Sequence, residues 1–61
     1  MKISEFIRQL KKQGVRFEKH GANHDWYINM NNGKRSQISR HHNKEIPNGT
    51  REKIMKELGL K

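Results

Sequence analysis

A two-layer α+β fold, with two helices packed on one face of a three-stranded antiparallel sheet, is predicted by three observations in this 61-residue chain. Apolar residues at 3-4 spacing open and close the chain, the stretch between them alternates with period two, and glycine or asparagine stands where one pattern gives way to the next. Helical pattern at the two ends and strand pattern in the middle put both helices on the same side of one small sheet. No repeat, linker or low-complexity tract divides residues 1–61, so a single domain is expected.

Ser4 suits the N-cap of the first helix, Glu5 complements its first turn, and Ile3, Phe6, Ile7 and Leu10 form its apolar stripe. Gly14 supplies the left-handed residue that stops it. Val15 and Phe17 then alternate with Arg16 and Glu18, the pattern of a half-buried strand, and His20-Gly21-Ala22-Asn23 reads as a turn. A second strand fits His24 to Met30, with Trp26, Ile28 and Met30 assigned to the core side and Asp25, Tyr27 and Asn29 to the outside. Strict alternation then places His24 on the core side, and an irregular strand start would be needed to turn it outward. Asn31-Asn32-Gly33 is the clearest hairpin turn, because Asn and Gly tolerate positive φ. The third strand, Lys34 to Arg40, has Ile38 as its main apolar residue and depends on its neighbour. His41 to Gly49 is a polar connection holding the only proline, Pro47, and a final helix from Asn48 or Thr50 carries Ile54, Met55 and Leu58 up to Gly59.

A chain this short hides only about 60% of the surface it exposes when unfolded, so its core is thin. Only 30% of its residues are hydrophobic, and with no cysteine there is neither a disulfide nor a thiol to consider for catalysis or zinc binding. Fourteen lysines and arginines face six acidic residues, a formal charge of +8 that attracts polyanions, nucleic acid first among them. There is no apolar run near 20 residues and no signal-peptide pattern, which predicts a soluble, non-secreted, cytoplasmic protein without a membrane partner.

RNA cleavage needs a base for the ribose 2′-hydroxyl proton, cations to hold the phosphate as charge builds, and an acid for the departing 5′-oxygen. An imidazole suits the first role, worth roughly 10²–10⁴ in rate when well placed. His24 is the candidate base: Gly21 lets the backbone approach a substrate closely, and a strand follows at once. Arg40 can grip a phosphate through two nitrogens, and His41 or His42 can supply an acid or a phosphate contact, though consecutive extended residues point opposite ways. Tyr27, on the face assigned to solvent, is the candidate base-stacking residue, and Trp26 is read as core. Lys19, Lys34 and Arg35 are candidate phosphate contacts within a cationic background that also includes Lys11, Lys12 and Arg16. His20 and His24 are four apart, but the glycine and asparagine between them argue for a turn rather than a helical metal pair, and no ligand set is completed; neither metal nor other cofactor is expected. A histidine at a strand edge is as a rule a structural residue, so the residues alone leave a nuclease, a binding module and a protein-binding adaptor open.

The helix ending in Gly14, the run Gly21-Ala22-Asn23-His24-Asp25, Arg40-His41, Glu45-Ile46 and the closing Ile54, Leu58 and Gly59-Leu60 together resemble the HicA family of toxins from type II toxin–antitoxin systems. Many members have Gly-Ser-His where this chain has the longer Gly-Ala-Asn-His. The resemblance implies a double-stranded RNA-binding-domain-like α-β-β-β-α fold and a ribosome-independent endoribonuclease, or mRNA interferase, restrained by a HicB-type antitoxin. It also implies that His24 is the catalytic residue. The charge of +8 independently predicts that such an antitoxin is acidic where it makes contact. The alternative is a non-catalytic RNA-binding module of the double-stranded RNA-binding type.

Overall fold

The computed structural model describes all of residues 1–61 and has the order α1 (Ile3–Lys12), β1 (Val15–His20), β2 (His24–Asn29), β3 (Arg35–Ser39), α2 (Asn48–Glu57). The three strands are antiparallel with β2 in the centre, and both helices pack on one face of the sheet. Ile3, Phe6, Ile7 and Leu10 form the buried stripe of α1 and meet Val15, Tyr27, Ile38, Ile54 and Leu58 in one core. No helix is long and apolar enough to cross a membrane.

The first helix starts earlier than Ser4. Lys2 takes the cap position, and its N–H donates to the Glu5 carboxylate at 3.1 Å. Ser4 is drawn into another role because the polar connection after β3 runs back along this end of α1. The Ile3 and Ser4 N–H groups donate to the carbonyls of Lys44 (2.9 Å) and His42 (3.0 Å), and the Ile46 N–H donates to the Met1 carbonyl at 3.0 Å. That clamp buries Ile46, a core residue inside a stretch whose composition reads as polar loop.

The faces of β2 are the reverse of the sequence expectation. Asp25, Tyr27 and Asn29 point to the helices and are buried; Trp26 and Ile28 lie half-buried on the open side, and Met30, just past the strand, is exposed. The reason is that the buried polar groups are satisfied. Asn29 Nδ2 donates to the Leu58 carbonyl at 2.8 Å, and its Oδ1 accepts the Asn31 N–H at 2.9 Å, so burial leaves this amide with partners on both sides. Phe17, expected inside, is 46% exposed: it stands opposite Tyr27 on the helix side, beyond the cover the helices provide. The register of β1 shifts between Phe17 and Lys19, and this bulge places Lys19 opposite Trp26 and His20 opposite Asp25.

The hairpin after β2 gathers the C-terminal ends of both helices. Gly33 has φ of +74°, Asn31 Nδ2 donates to the Gln13 carbonyl (3.1 Å), and Asn32 Nδ2 joins Asn29 on the Leu58 carbonyl (3.1 Å). Gly14 stops α1 at φ +88°, and its carbonyl accepts the Met30 N–H at 2.9 Å. The other end of the sheet, where the β1–β2 corner meets the end of β3, is therefore left for the residues of chemical interest.

Candidate active site

Gly21 makes the corner between β1 and β2. Its N–H donates to the His24 carbonyl at 2.8 Å, and a Cβ at this position would stand 2.5 Å from that same oxygen. The need for glycine here is close approach of backbone to backbone. Asp25, the residue after His24, is 7% exposed and holds the corner from the helix side. Its Oδ1 accepts from His20 Nδ1 and from Arg40 Nε, each at 2.8 Å, while a terminal nitrogen of Arg40 donates to the Gly21 carbonyl. The hydrogen bond from His20 and then that from Arg40 hold the Asp25 carboxyl below its usual range. Since Asp25 is a carboxylate, His20 must carry its proton on Nδ1.

His24 begins β2 opposite Ser39 of β3, and its side chain is exposed on the open side of the sheet. No irregular strand start is needed, because the face it shares with Trp26 is the open one. The polar contacts of the corner go to His20, Asp25 and Arg40, which leaves the His24 ring free to accept a proton from outside the chain. A groove of about 760 Å³ begins at His24 and Trp26, passes Arg35 and Gln37, and wraps round the β3 edge to Pro47 and Thr50 at the start of α2. An imidazole on a rigid strand, at the mouth of a groove in a chain of charge +8, can act as a base on a bound polyanion.

The other expected residues are distributed unevenly. Arg35 lines the same groove as His24, and Lys19 reaches the open face through the β1 bulge. Arg40 is beside the corner, but its Nε and a terminal nitrogen are engaged by Asp25 and Gly21, so its first task is to hold the backbone that carries His24. His41 is exposed and His42 half-buried, and both line a separate small hollow with Arg40. Lys34 is at the hairpin, its carbonyl bonded to the Asn29 N–H, roughly 17 Å along the strand from His24 at about 3.3 Å per residue, too far to share a phosphate with it. Tyr27 cannot stack on a base, as it is 4% exposed, and burial raises its hydroxyl above the usual tyrosine value. The indole on the open face is that of Trp26. His20, read as part of a turn, is instead the last residue of β1 and a partner of Asp25. Its role was legible only through the bulge, which no spacing rule announces.

A basic α-β-β-β-α domain of double-stranded RNA-binding-domain-like architecture, with an exposed histidine beside a glycine corner, defines the class. A family model described as HicA toxin of bacterial toxin–antitoxin systems matches residues 3–60, and the chain belongs to that family. It is 48% identical over 61 residues to a protein named probable mRNA interferase HicA 2 of Photorhabdus laumondii, the match covering the whole of both chains. It is 44% identical over 61 residues to one named probable mRNA interferase HicA of Pseudomonas fluorescens, covering all of this chain and 98% of the relative. Among solved structures, a chain of the E. coli HicAB toxin–antitoxin complex superposes with a TM-score of 0.85 at 42% identity, covering 98% of this chain and 100% of that one.

Proposed function

We propose that this HicA family protein is an mRNA interferase that cuts RNA in the cytoplasm, independently of the ribosome and of metal, with His24 as general base. The observation that carries the reading is the His24 ring, exposed at the mouth of the groove while its backbone is fixed by Gly21, Asp25 and Arg40. His24 takes the proton of a ribose 2′-hydroxyl, the 2′-oxygen attacks the adjacent phosphorus as the bond to the 5′-oxygen breaks, and the leaving 5′-oxygen takes a proton from water. The products are a 2′,3′-cyclic phosphate and a 5′-hydroxyl end. Arg35 and Lys19 supply positive charge on the same side of the sheet as the phosphate gains negative charge. Membership of the HicA family, and the likeness to a chain of a HicAB complex, support a HicB-type antitoxin as the restraining partner. With +8 on so small a domain, the antitoxin is acidic at the contact, so its affinity falls as salt is raised.

The test is cleavage of a long single-stranded RNA in EDTA by the native protein and by His24→Ala, both shown to be folded by circular dichroism. Loss of cleavage by about 10²-fold or more in the variant, with RNA binding retained, is expected. RNA that stays intact with both proteins while binding to both would make the chain a non-catalytic RNA-binding module instead.

A further inference from the structure

The open face of the sheet carries an aromatic ring that the cleavage reaction above does not use. Trp26 is two residues from His24 on the same strand face, and both side chains line the same groove. The indole runs between two features. Its Nε1 edge lies against the Gly21 corner, close enough that a Cβ on Gly21 would be 3.4 Å away. Over its face, the Arg35 guanidinium stands 5.1 Å from the ring centre.

We propose that Trp26 is the stacking platform for one unpaired base of the RNA, the base next to the phosphate that His24 serves. The inference rests on the nuclease reading of His24. Three features favour a nucleotide over any other occupant. The ring is flanked by Arg35 and, across the strand pair, by Lys19, so phosphates on either side of a stacked base meet positive charge. The ring adjoins the glycine corner, which brings a stacked base and a phosphate at His24 within one nucleotide of each other. The polar neighbour in the groove, Gln37, stands opposite Trp26 in β3 and offers an amide to a base edge. Arg35 is tied to Glu18 at 2.7 Å on the exposed side, an ion pair that is weakly held and screened by salt. An incoming base takes the ring face that the guanidinium covers, and the guanidinium turns to the flanking phosphate. Stacking of this kind accepts any base, because each has a π-face. It requires an unpaired one, so the site selects single-stranded RNA over duplex.

Trp26 is the only tryptophan in the chain, so its fluorescence reports on this site alone. The experiment titrates the cleavage-dead His24→Ala protein with short single-stranded RNA oligomers, each lacking the base at one position. Expected is quenching by the intact oligomer, and loss of that quenching when the missing base is the one beside the bond that the native protein cuts. Trp26→Leu, in a chain still folded by circular dichroism, should weaken binding about tenfold. Trp26→Phe should recover most of the loss, and in cleavage assays Trp26→Leu should raise KM more than it lowers kcat. RNA that is bound and cut by the native protein without any change in tryptophan fluorescence would overturn the stacking site and leave the nuclease reading standing. RNA that is neither cut nor bound would overturn both.

Discussion

The two sides of β2 divide the work of the protein between them. On the helix side, Asp25, Tyr27 and Asn29 are buried, and the two polar side chains among them are tied to other elements: Asp25 to β1 and to Arg40 after β3, Asn29 to the end of α2. On the open side, His24 is exposed, and Trp26 and Ile28 are only half covered. A thin domain can bury polar groups when each finds a partner, which frees aromatic and basic side chains for the surface that meets the ligand. The side that looks polar holds the fold together, and the side that looks apolar carries the proposed site.

This contrast is broken most directly by truncating one aromatic ring from each side. Tyr27→Ala should cost about 3–5 kcal/mol in urea denaturation, as for other buried aromatic rings, enough to unfold much of so small a chain. Trp26→Ala should cost about 1 kcal/mol or less. Equal costs would mean that the two sides are not distinct. Gly21→Ala tests the corner that joins them. A Cβ 2.5 Å from the His24 carbonyl forces the backbone apart, with an expected cost of about 1–3 kcal/mol and a fall in cleavage of up to about 10²-fold from displacement of His24. Activity lost while stability is unchanged would show that the corner shapes only the site.

A smaller effect follows from pH. The folded-state pKa of Asp25 is lowered, so its contribution is present above the unfolded carboxylate value near 3.9 and is lost as pH falls through the lower, folded value. Tyr27 has the opposite sense: it is an acid whose pKa is raised on folding, so the unfolded chain ionises first and stability falls as pH rises above about 10. Thermal unfolding followed across pH should show both limbs. Asp25→Asn should remove the part of the acid limb that belongs to Asp25, and Tyr27→Phe should flatten the alkaline one.

Element order, the stop at Gly14, the Asn31–Gly33 hairpin and the second helix are legible in the sequence because each depends on local backbone chemistry: 3-4 spacing, positive φ, a turn dipeptide. The direction of the β2 faces is not local. Alternation says that Trp26 and Tyr27 point opposite ways, but only partners distant in the chain, Leu58 for Asn29 and Arg40 for Asp25, decide which way is in. A signal was available in His24, whose forced placement among core residues conflicted with every use proposed for it; reversing the faces removes the conflict. That His24 follows a glycine corner was readable from its neighbours, whereas the hold of Arg40 on that corner depends on pairing His24 with Ser39, a long-range register. Ile46 was hidden for the same reason, since it is buried by hydrogen bonds to the N-terminal segment.

Both helices end at the hairpin, through Gln13 and Leu58, and both begin at the other end of the sheet: Ile3 and Thr50, from the first turns of α1 and α2, line the groove that His24 opens. Their peptide dipoles therefore point the same way and add. Each contributes roughly half a positive charge at its start and half a negative charge at its finish. Lys11, Lys12 and Lys56 stand in the last turns and offset the negative ends. The two helix starts thus add positive charge beside the histidine, while the three lysines more than cancel the negative finishes at the hairpin, so a polyanion meets positive charge at either end.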